Sequence, residues 1–508
     1  MRLHQRIKEP KILLLYPQQQ FQEDEHIRPE GTLGIPYLHA SLKQAGYYVD
    51  ILDTCVGNRQ DSLDDTFYKQ RKISENIVRI GLSESRILAE VEKYDIIGIS
   101  SIFTQQTECV FDMSNLIRKH FPGKILLAGG VNARNLKEHF FNNSFDIVFL
   151  SEAEKSIVQV VSYFRSGKPA LKDIPGISFR YDNKTVKNIS VEQNAILDSI
   201  PMPSWSELPN DKYWEIGRIW GGRTGWLEHE KETCRYAAVL TSRGCSFNCD
   251  FCHVSLEKDE EAGKIGRLRY HSVERVHMEF QRLKEIGINT LFINDESFLM
   301  NKKRVYKIFA FLKKMKFKVA DVNGVNIVNL FRKIKGRYVV DDELVCALYE
   351  AGFRKISLPF ETGNQRILDK YCSKKWNLEK HNVIELVKKL REAGISADGN
   401  FMIGWPDETL EELTNTYLLA RDLMQSGLIG CGFYFVQPYP GSRLHRMALA
   451  AKEISEDWDW NKIGWSKGTP YNKLKYDKST LKYTWSLVWK LLNPSSRVHE
   501  ISQQLLNK

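Results

Sequence analysis

Two blocks of alternating apolar strands and amphipathic helices, parted by a stretch rich in Pro, Trp and Gly, constrain the fold of this chain more than any other feature. In the first block, residues 11–16 read as a buried strand and 34–45 as an amphipathic helix closed by Gly46. Strands are expected at 48–52, 95–100, 124–128 and 146–150, with helices near 108–120 and from Glu152. That rhythm predicts a doubly wound, Rossmann-like parallel sheet, whose ligands sit beyond the C-terminal strand ends. Those ends carry Pro17, Ser100–Ser101, Gly129–Gly130 and Ser151–Glu152.

Residues 168–233 break the rhythm with Ile200-Pro-Met-Pro-Ser-Trp205 and Trp220-Gly-Gly222, and read as a linker with some irregular structure. The alternation resumes with strands at 237–241, 290–294, 355–359, 399–403 and 432–437, and a further one near 317–322. Helices are expected at 272–286, 302–315, 341–351, 378–393 and 409–426. Roughly six βα units make a partial (β/α)6 barrel, short of the eight of a complete one. A tail from 447 holds Trp458, Trp460, Trp465, Trp485 and Trp489 and reads as a small helical region. The expected domains are therefore 1–167, a linker 168–233, a barrel 234–446 and a C-terminal region 447–508. All of this is α/β, and 508 residues suit two or three cores.

The apolar run in the first 17 residues is too short for a signal-peptide core, and no run of about 18 apolar residues follows. A cytoplasmic protein without a membrane span is expected. The net charge of +10 permits a polyanion partner, but the basic residues are spread among acids and apolar residues, so a solvated surface is preferred and no nucleic acid is expected.

Of nine cysteines only three cluster, in Thr241-Ser-Arg-Gly-Cys245-Ser-Phe-Asn-Cys249-Asp-Phe-Cys252. The other six are scattered, which is not a disulfide framework and suits a reducing compartment. Three thiolates just after a strand can wrap a [4Fe–4S] cluster and leave one iron open. A structural zinc needs a fourth ligand, which His253 is poorly placed to give. Zinc and an accidental grouping are the alternatives to a cluster.

This C-x3-C-x2-C loop resembles that of the radical S-adenosylmethionine (SAM) superfamily. The resemblance implies that the open iron binds SAM and that an electron, from a donor such as flavodoxin or ferredoxin, cleaves it to a 5′-deoxyadenosyl radical. It places Phe251 against the adenine. It also makes Asp295 and Glu296, in Leu291-Phe-Ile-Asn-Asp-Glu296, holders of the SAM amino group; a helix-capping pair is the plainer reading. Glu361, in Ser357-Leu-Pro-Phe-Glu-Thr-Gly363, matches the Glu-Ser-Gly turn and with Asp295 is a candidate catalytic residue. Phe401-Met-Ile-Gly404-Trp-Pro406 matches a further element, in which Gly404 lets the backbone approach a ligand while Glu408 and Thr409 cap the next helix. Gln437-Pro-Tyr-Pro-Gly441 resembles the ending of this barrel type, so the likeness covers about 236–446.

In front of such a barrel, the first domain resembles the cobalamin-binding domain common in the superfamily. The matching pieces are Gly31-Thr-Leu-Gly34-Ile-Pro36, Ile97-Gly-Ile-Ser-Ser101, Gly129-Gly130-Val-Asn132 and Ser151-Glu152-Ala-Glu154, the last departing from Gly-Glu-x-Glu. Ser101, Gly129, Gly130 and Glu152 are thereby candidate cobalamin contacts, although Gly129–Gly130 also reads as a tight structural turn. Asp24-Glu-His26-Ile-Arg-Pro29 ends in Pro where a cobalt-ligating motif has Gly, so His26 is not expected on cobalt.

The family reading implies a class B-like C-methyltransferase. One SAM methylates cobalamin and another yields the radical, and the substrate radical takes the methyl group. A cobalamin-dependent cyclase or rearrangement enzyme is the alternative, and a non-catalytic cobalamin- or redox-sensing module is the remote one. A methylthiotransferase would need a second three-cysteine set, for which only Cys55 and Cys109 are at hand. The substrate, a small molecule or peptide, is not written in the sequence.

Overall fold

The computed structural model describes residues 2–23, 31–181, 184–189, 194–216, 234–259, 262–460, 463–464 and 467–493. The chain divides into two compact units. One comprises Met1–Gly222 with Leu256–Arg269 and Asp459–Lys462; the other comprises Arg223–Ser255, Tyr270–Trp458 and Ile463–Lys508. His26, Pro29, Trp220–Gly222 and Trp465 lie outside the described residues.

The first unit is built on a seven-stranded sheet. Its strands are β1 (Lys11–Tyr16), β2 (Tyr48–Asp53), β3 (Ile96–Ser100), β4 (Ile125–Gly129), β5 (Ile147–Phe149), β6 (Ile177–Tyr181) and β7 (Lys184–Lys187), in spatial order β7-β6-β5-β4-β3-β1-β2. The pairings from β2 through β5 are parallel and give the doubly wound order 2-1-3-4-5. Helices cover both faces of such a sheet, so its strands are continuous apolar runs: Ile12, Leu15, Ile96 and Leu126 are wholly buried. The order reverses at β1 and β3, and that switch point is where doubly wound sheets bind ligands. Helices α1 (Gly34–Gln44), α2 (Thr107–His120) and α3 (Glu154–Ser166) belong to this unit.

The expected linker behaves differently. Over its described residues it extends this sheet, with β6 antiparallel to β5 and β7 antiparallel to β6. The driving force is local: in Ile-Ser-Phe-Arg-Tyr, Ile177 and Phe179 alternate into the core. Further on, the Tyr213 hydroxyl donates to Asp53 Oδ2 at 2.6 Å, and buried Lys212 donates to the Val56 carbonyl at 3.0 Å. Proline-rich composition concealed ordered structure.

In the second unit, six strands lie in strict sequence order: β8 (Tyr236–Val239), β9 (Thr290–Ile293), β10 (Lys318–Asp321), β11 (Phe353–Glu361), β12 (Ser396–Ile403) and β13 (Gly430–Phe435). All five pairings are parallel, as a partial barrel requires. The helices between them are α4 (Val273–Glu285), α5 (Lys302–Met315), α6 (Asp342–Glu350), α7 (Gln365–Tyr371), α8 (Val383–Glu392) and α9 (Leu410–Ser426). α8 starts later than its apolar period suggests because Asn382 caps it, accepting from Glu385 N at 3.1 Å.

A partial barrel leaves an open strand edge, and here the C-terminal helix α10 (Lys478–Leu492) lies over it. The Asn493 side chain accepts from Cys431 N at 2.9 Å and donates to Cys431 O at 3.0 Å, while Trp485 Nε1 donates to Phe433 O at 3.0 Å. Trp485 and Trp489 are therefore packing residues of the β13 edge. The rest of the tail is only partly helical, as Arg443–Ala450. No helix among the described residues is long and apolar enough to cross a membrane.

Candidate active site

The cysteine loop leaves the C-terminal end of β8, the end of a βα-barrel that carries chemistry. Its first half is fastened to the segment after β9. Asp295 accepts from Thr241 N, Thr241 Oγ1 and Ser242 Oγ, each at 2.6 Å. Glu296 accepts from Gly244 N at 3.2 Å, and Ser297 Oγ donates to Cys245 Sγ at 3.3 Å. Its second half is fastened elsewhere, Asp250 N donating to Tyr371 O and Leu444 N to Asp250 O.

Cys245, Cys249 and Cys252 are in no disulfide, Cys249 buried and the other two partly exposed. Burial pushes the Cys249 thiol up to about 11, with Lys375 opposing. Among the described residues no group of three or more His, Cys, Asp or Glu side chains is arranged to hold a metal ion. A cubane cluster asks for something else, since each of its cysteines binds a different iron. Three cysteines outside any disulfide, on one pinned and partly open loop, fit that demand.

The other expected site residues separate into two groups. Phe251 and Glu361 come together through Lys375, which is ion-paired with Glu361 and sits 5.8 Å from the centre of the Phe251 ring. Phe251 also meets Trp405 edge to face at 5.8 Å. Glu361 is buried at the end of β11 with a left-handed φ of 65°, which costs a non-glycine residue of order 1–3 kcal/mol and persists only where the surroundings enforce it.

Asp295, Gly404 and Glu152 differ from expectation. Asp295 is wholly buried with its oxygens engaged by the loop, so it holds the loop instead of offering a carboxylate to SAM. Burial raises its pKa, and the Ser242 and Thr241 hydrogen bonds oppose the rise. At Gly404 (φ 77°) a Cβ would meet Leu481 and Thr469 at 3.0 Å, so the glycine makes room for the C-terminal segment. Glu152 is gripped by Arg269 at 2.7 and 3.0 Å and by Asn194 at 3.0 Å.

Ser101, Gly129 and Gly130 do share the β3–β4 end of the sheet. Ser101 N donates to Gly129 O, and Gly130 is obligatory there, because at φ 104° a Cβ would lie 2.3 Å from Ser101 O. Asn132 donates to Ser101 Oγ and Thr107 Oγ1, both at 2.9 Å, yet its own buried Oδ1 has no partner among the described residues. An unpaired buried amide oxygen at the ligand-binding end of a doubly wound sheet fits a cofactor rich in amides.

Three groups escaped sequence reasoning. Lys375 is one. Asp321, at the end of β10, is tied by one oxygen to Gly324 N at 2.7 Å while Oδ2 is buried without a partner among the described residues. Glu408 does not cap α9; Thr409 and Glu412 form that capping box. Buried Glu408 instead accepts from Gly404 N at 2.8 Å and from the Tyr476 hydroxyl at 2.5 Å.

Burial pushes the Glu408 carboxyl up to about 8, against the pull of Tyr476 and Gly404 N, from an ordinary 4.5. The folded state keeps this proton where the unfolded chain has lost it. Its contribution is therefore full below about pH 4.5 and lost as the pH rises through about 8. Glu408→Gln keeps both acceptor contacts without titrating. Thermal melts from pH 5 to 9 are expected to show the wild type losing several degrees relative to Glu408→Gln; parallel curves would refute the assignment.

Residues 239–420 match the family model described as Radical SAM superfamily, and residues 29–161 match that of the B12 binding domain. The chain is 26% identical over 487 residues to cytidylyl-2-hydroxyethylphosphonate methyltransferase of Streptomyces wedmorensis, spanning 88% of this chain and 84% of that one. It is 29% identical over 475 residues to an uncharacterized methyltransferase of Pyrococcus horikoshii, spanning 92% and 89%. Its fold is shared with the radical SAM methyltransferase TsrM of Kitasatospora setae, solved with tryptophan substrate and a SAM analog: TM-score 0.63 and 15% identity, over 88% of this chain and 77% of that one.

Proposed function

Because the chain carries a radical SAM region and a B12-binding region and is similar to methyltransferases along nearly its whole length, we propose that it is a cobalamin-dependent radical SAM methyltransferase, which carries a methyl group from SAM, by way of cobalamin, to a carbon of a small-molecule or peptide substrate. The observation that carries this reading is similarity to two methyltransferases along nearly the whole chain, both cofactor domains included. When bound, the cluster and SAM supply a 5′-deoxyadenosyl radical, and cobalamin supplies the methyl group.

The chain's own residues do the holding. Cys245, Cys249 and Cys252 would hold the cluster, and Ser297 steadies Cys245 by its hydroxyl. Phe251 offers its ring to the adenine, and Glu296 and Glu361 offer carboxylates to the polar end of SAM. Asp295 keeps the loop in place from behind. Ser101, Gly129 and Gly130 lie at the sheet end that would receive the nucleotide tail of cobalamin, and Asn132 Oδ1 would be available to an amide N–H of the cofactor. Asp321 Oδ2, buried and unpaired among the described residues, would be available to a polar group of the substrate. A cytoplasmic setting, with flavodoxin or ferredoxin as electron donor, suits the free thiols.

The test is by-product stoichiometry with methyl-labelled SAM. Methyl donor and radical source are chemically different uses of one sulfonium, so S-adenosylhomocysteine and 5′-deoxyadenosine are expected in equal amounts, with label in a product carbon. Deoxyadenosine alone, with an unlabelled product, would move the chain to the cyclase or rearrangement class.

A further inference from the structure

Lys375 lies in the turn after α7 and is almost completely buried, as is its partner Glu361. A buried lysine normally sheds its proton to escape desolvation. Here burial is outweighed by Glu361 and by the Cys249 and Cys372 thiols, and the ammonium is held above its ordinary range. The pair sits beside the cysteine loop. The segment that carries Lys375 is bonded to that loop at two points, Asn248 N donating to Ser373 Oγ at 2.9 Å and Asp250 N to Tyr371 O at 2.8 Å. The ammonium lies 5.8 Å from the centre of the Phe251 ring, and Phe251 stands next to Cys252 and two residues from Cys249. The strained φ of Glu361 keeps the negative end pinned at the close of β11.

We propose that Lys375 is a positioning residue that sets the reduction potential of the iron–sulfur cluster, its ammonium held beside the loop that carries Cys249 and Cys252. This rests on the cluster assignment above. A cluster gains a unit of negative charge on reduction, and its potential follows local charge and burial. A desolvated cation beside a ligand thiolate is barely screened by water or salt, so it stabilises the reduced form.

The measurement is dye-mediated redox titration of the anaerobically reconstituted full chain, without SAM or substrate, followed by electron paramagnetic resonance. Lys375→Met keeps the length of the side chain and removes the charge. It is expected to lower the reduced-to-oxidised ratio at a fixed potential about tenfold, a shift of about 59 mV to the negative side. Lys375→Arg should restore the wild-type midpoint, and Glu361→Gln should move it the opposite way. A cluster in Lys375→Met with an unchanged midpoint would overturn the inference. Should that variant take up no cluster, Glu361→Gln decides: a positive shift supports the inference and no shift overturns it. A wild-type chain that binds no cluster overturns the cluster assignment itself, and this inference with it.

Discussion

Cys245→Ala, Cys249→Ala and Cys252→Ala are each expected to bring SAM cleavage down to background and to lose most of the bound iron, whereas Cys55→Ala and Cys109→Ala retain both. If these three thiolates hold the cluster there is none to spare, because each would serve its own iron. Cys55 and Cys109 belong to the other unit and are wholly buried there. Cys109 donates its S–H to Gln18 O at 3.1 Å, and burial pushes its thiol up to about 11, as suits a packed residue. Iron and sulfide content together with deoxyadenosine formation check the five variants in one series. Retained cleavage in any of the three loop variants would contradict the ligand set.

The second large effect is at Asp295. Asp295→Ala leaves one N–H and two hydroxyls of Thr241 and Ser242 unanswered in the interior, close to buried Arg304, which itself donates to Thr241 O at 2.6 Å and Thr241 Oγ1 at 3.2 Å. Breaking a buried charged network in this way costs about 3–5 kcal/mol. Asp295→Asn is a different case: its oxygen still accepts from Thr241 N, and both hydroxyls can turn to accept from its amide. Asp295→Ala is expected to melt early and load iron poorly, and Asp295→Asn to keep both the cluster and SAM affinity near wild type. Loss of SAM binding in a well-folded, cluster-loaded Asp295→Asn would instead make this carboxylate a SAM ligand.

The contrast between Asp295 and Glu361 shows what sequence carries. Both are acids at the C-terminal end of a barrel strand, and the motif alone gives them the same role. Which oxygens are already engaged is decided by residues 53 or 54 positions away in the cysteine loop, and no local pattern records that. Elements with strong local determinants were legible. β1 lies at the expected 11–16 because an apolar run is bounded by Pro10 and Pro17, and α5 at 302–315 because Asn301 caps it. β6 and β7 were not legible, being two short strands within a stretch whose prolines and glycines read as an irregular linker. Lys375 was hidden in Ser373-Lys-Lys-Trp376, which reads as a solvated charge pair. The available signal was Trp376 beside it, a wholly buried side chain in a short turn. Glu408 was obscured by Thr409-Leu-Glu-Glu412, where the true capping box begins one residue later.

The central claim, that one chain joins a radical SAM cluster to a cobalamin domain, is tested most directly by composition. Anaerobic reconstitution of the full chain with iron, sulfide and cobalamin, followed by elemental analysis and electron paramagnetic resonance, is expected to give about four irons and four sulfides per chain. One cobalamin per chain and turnover of SAM by the reduced protein are expected alongside. A colourless, zinc-loaded protein that remains active without iron or cobalamin would contradict the account.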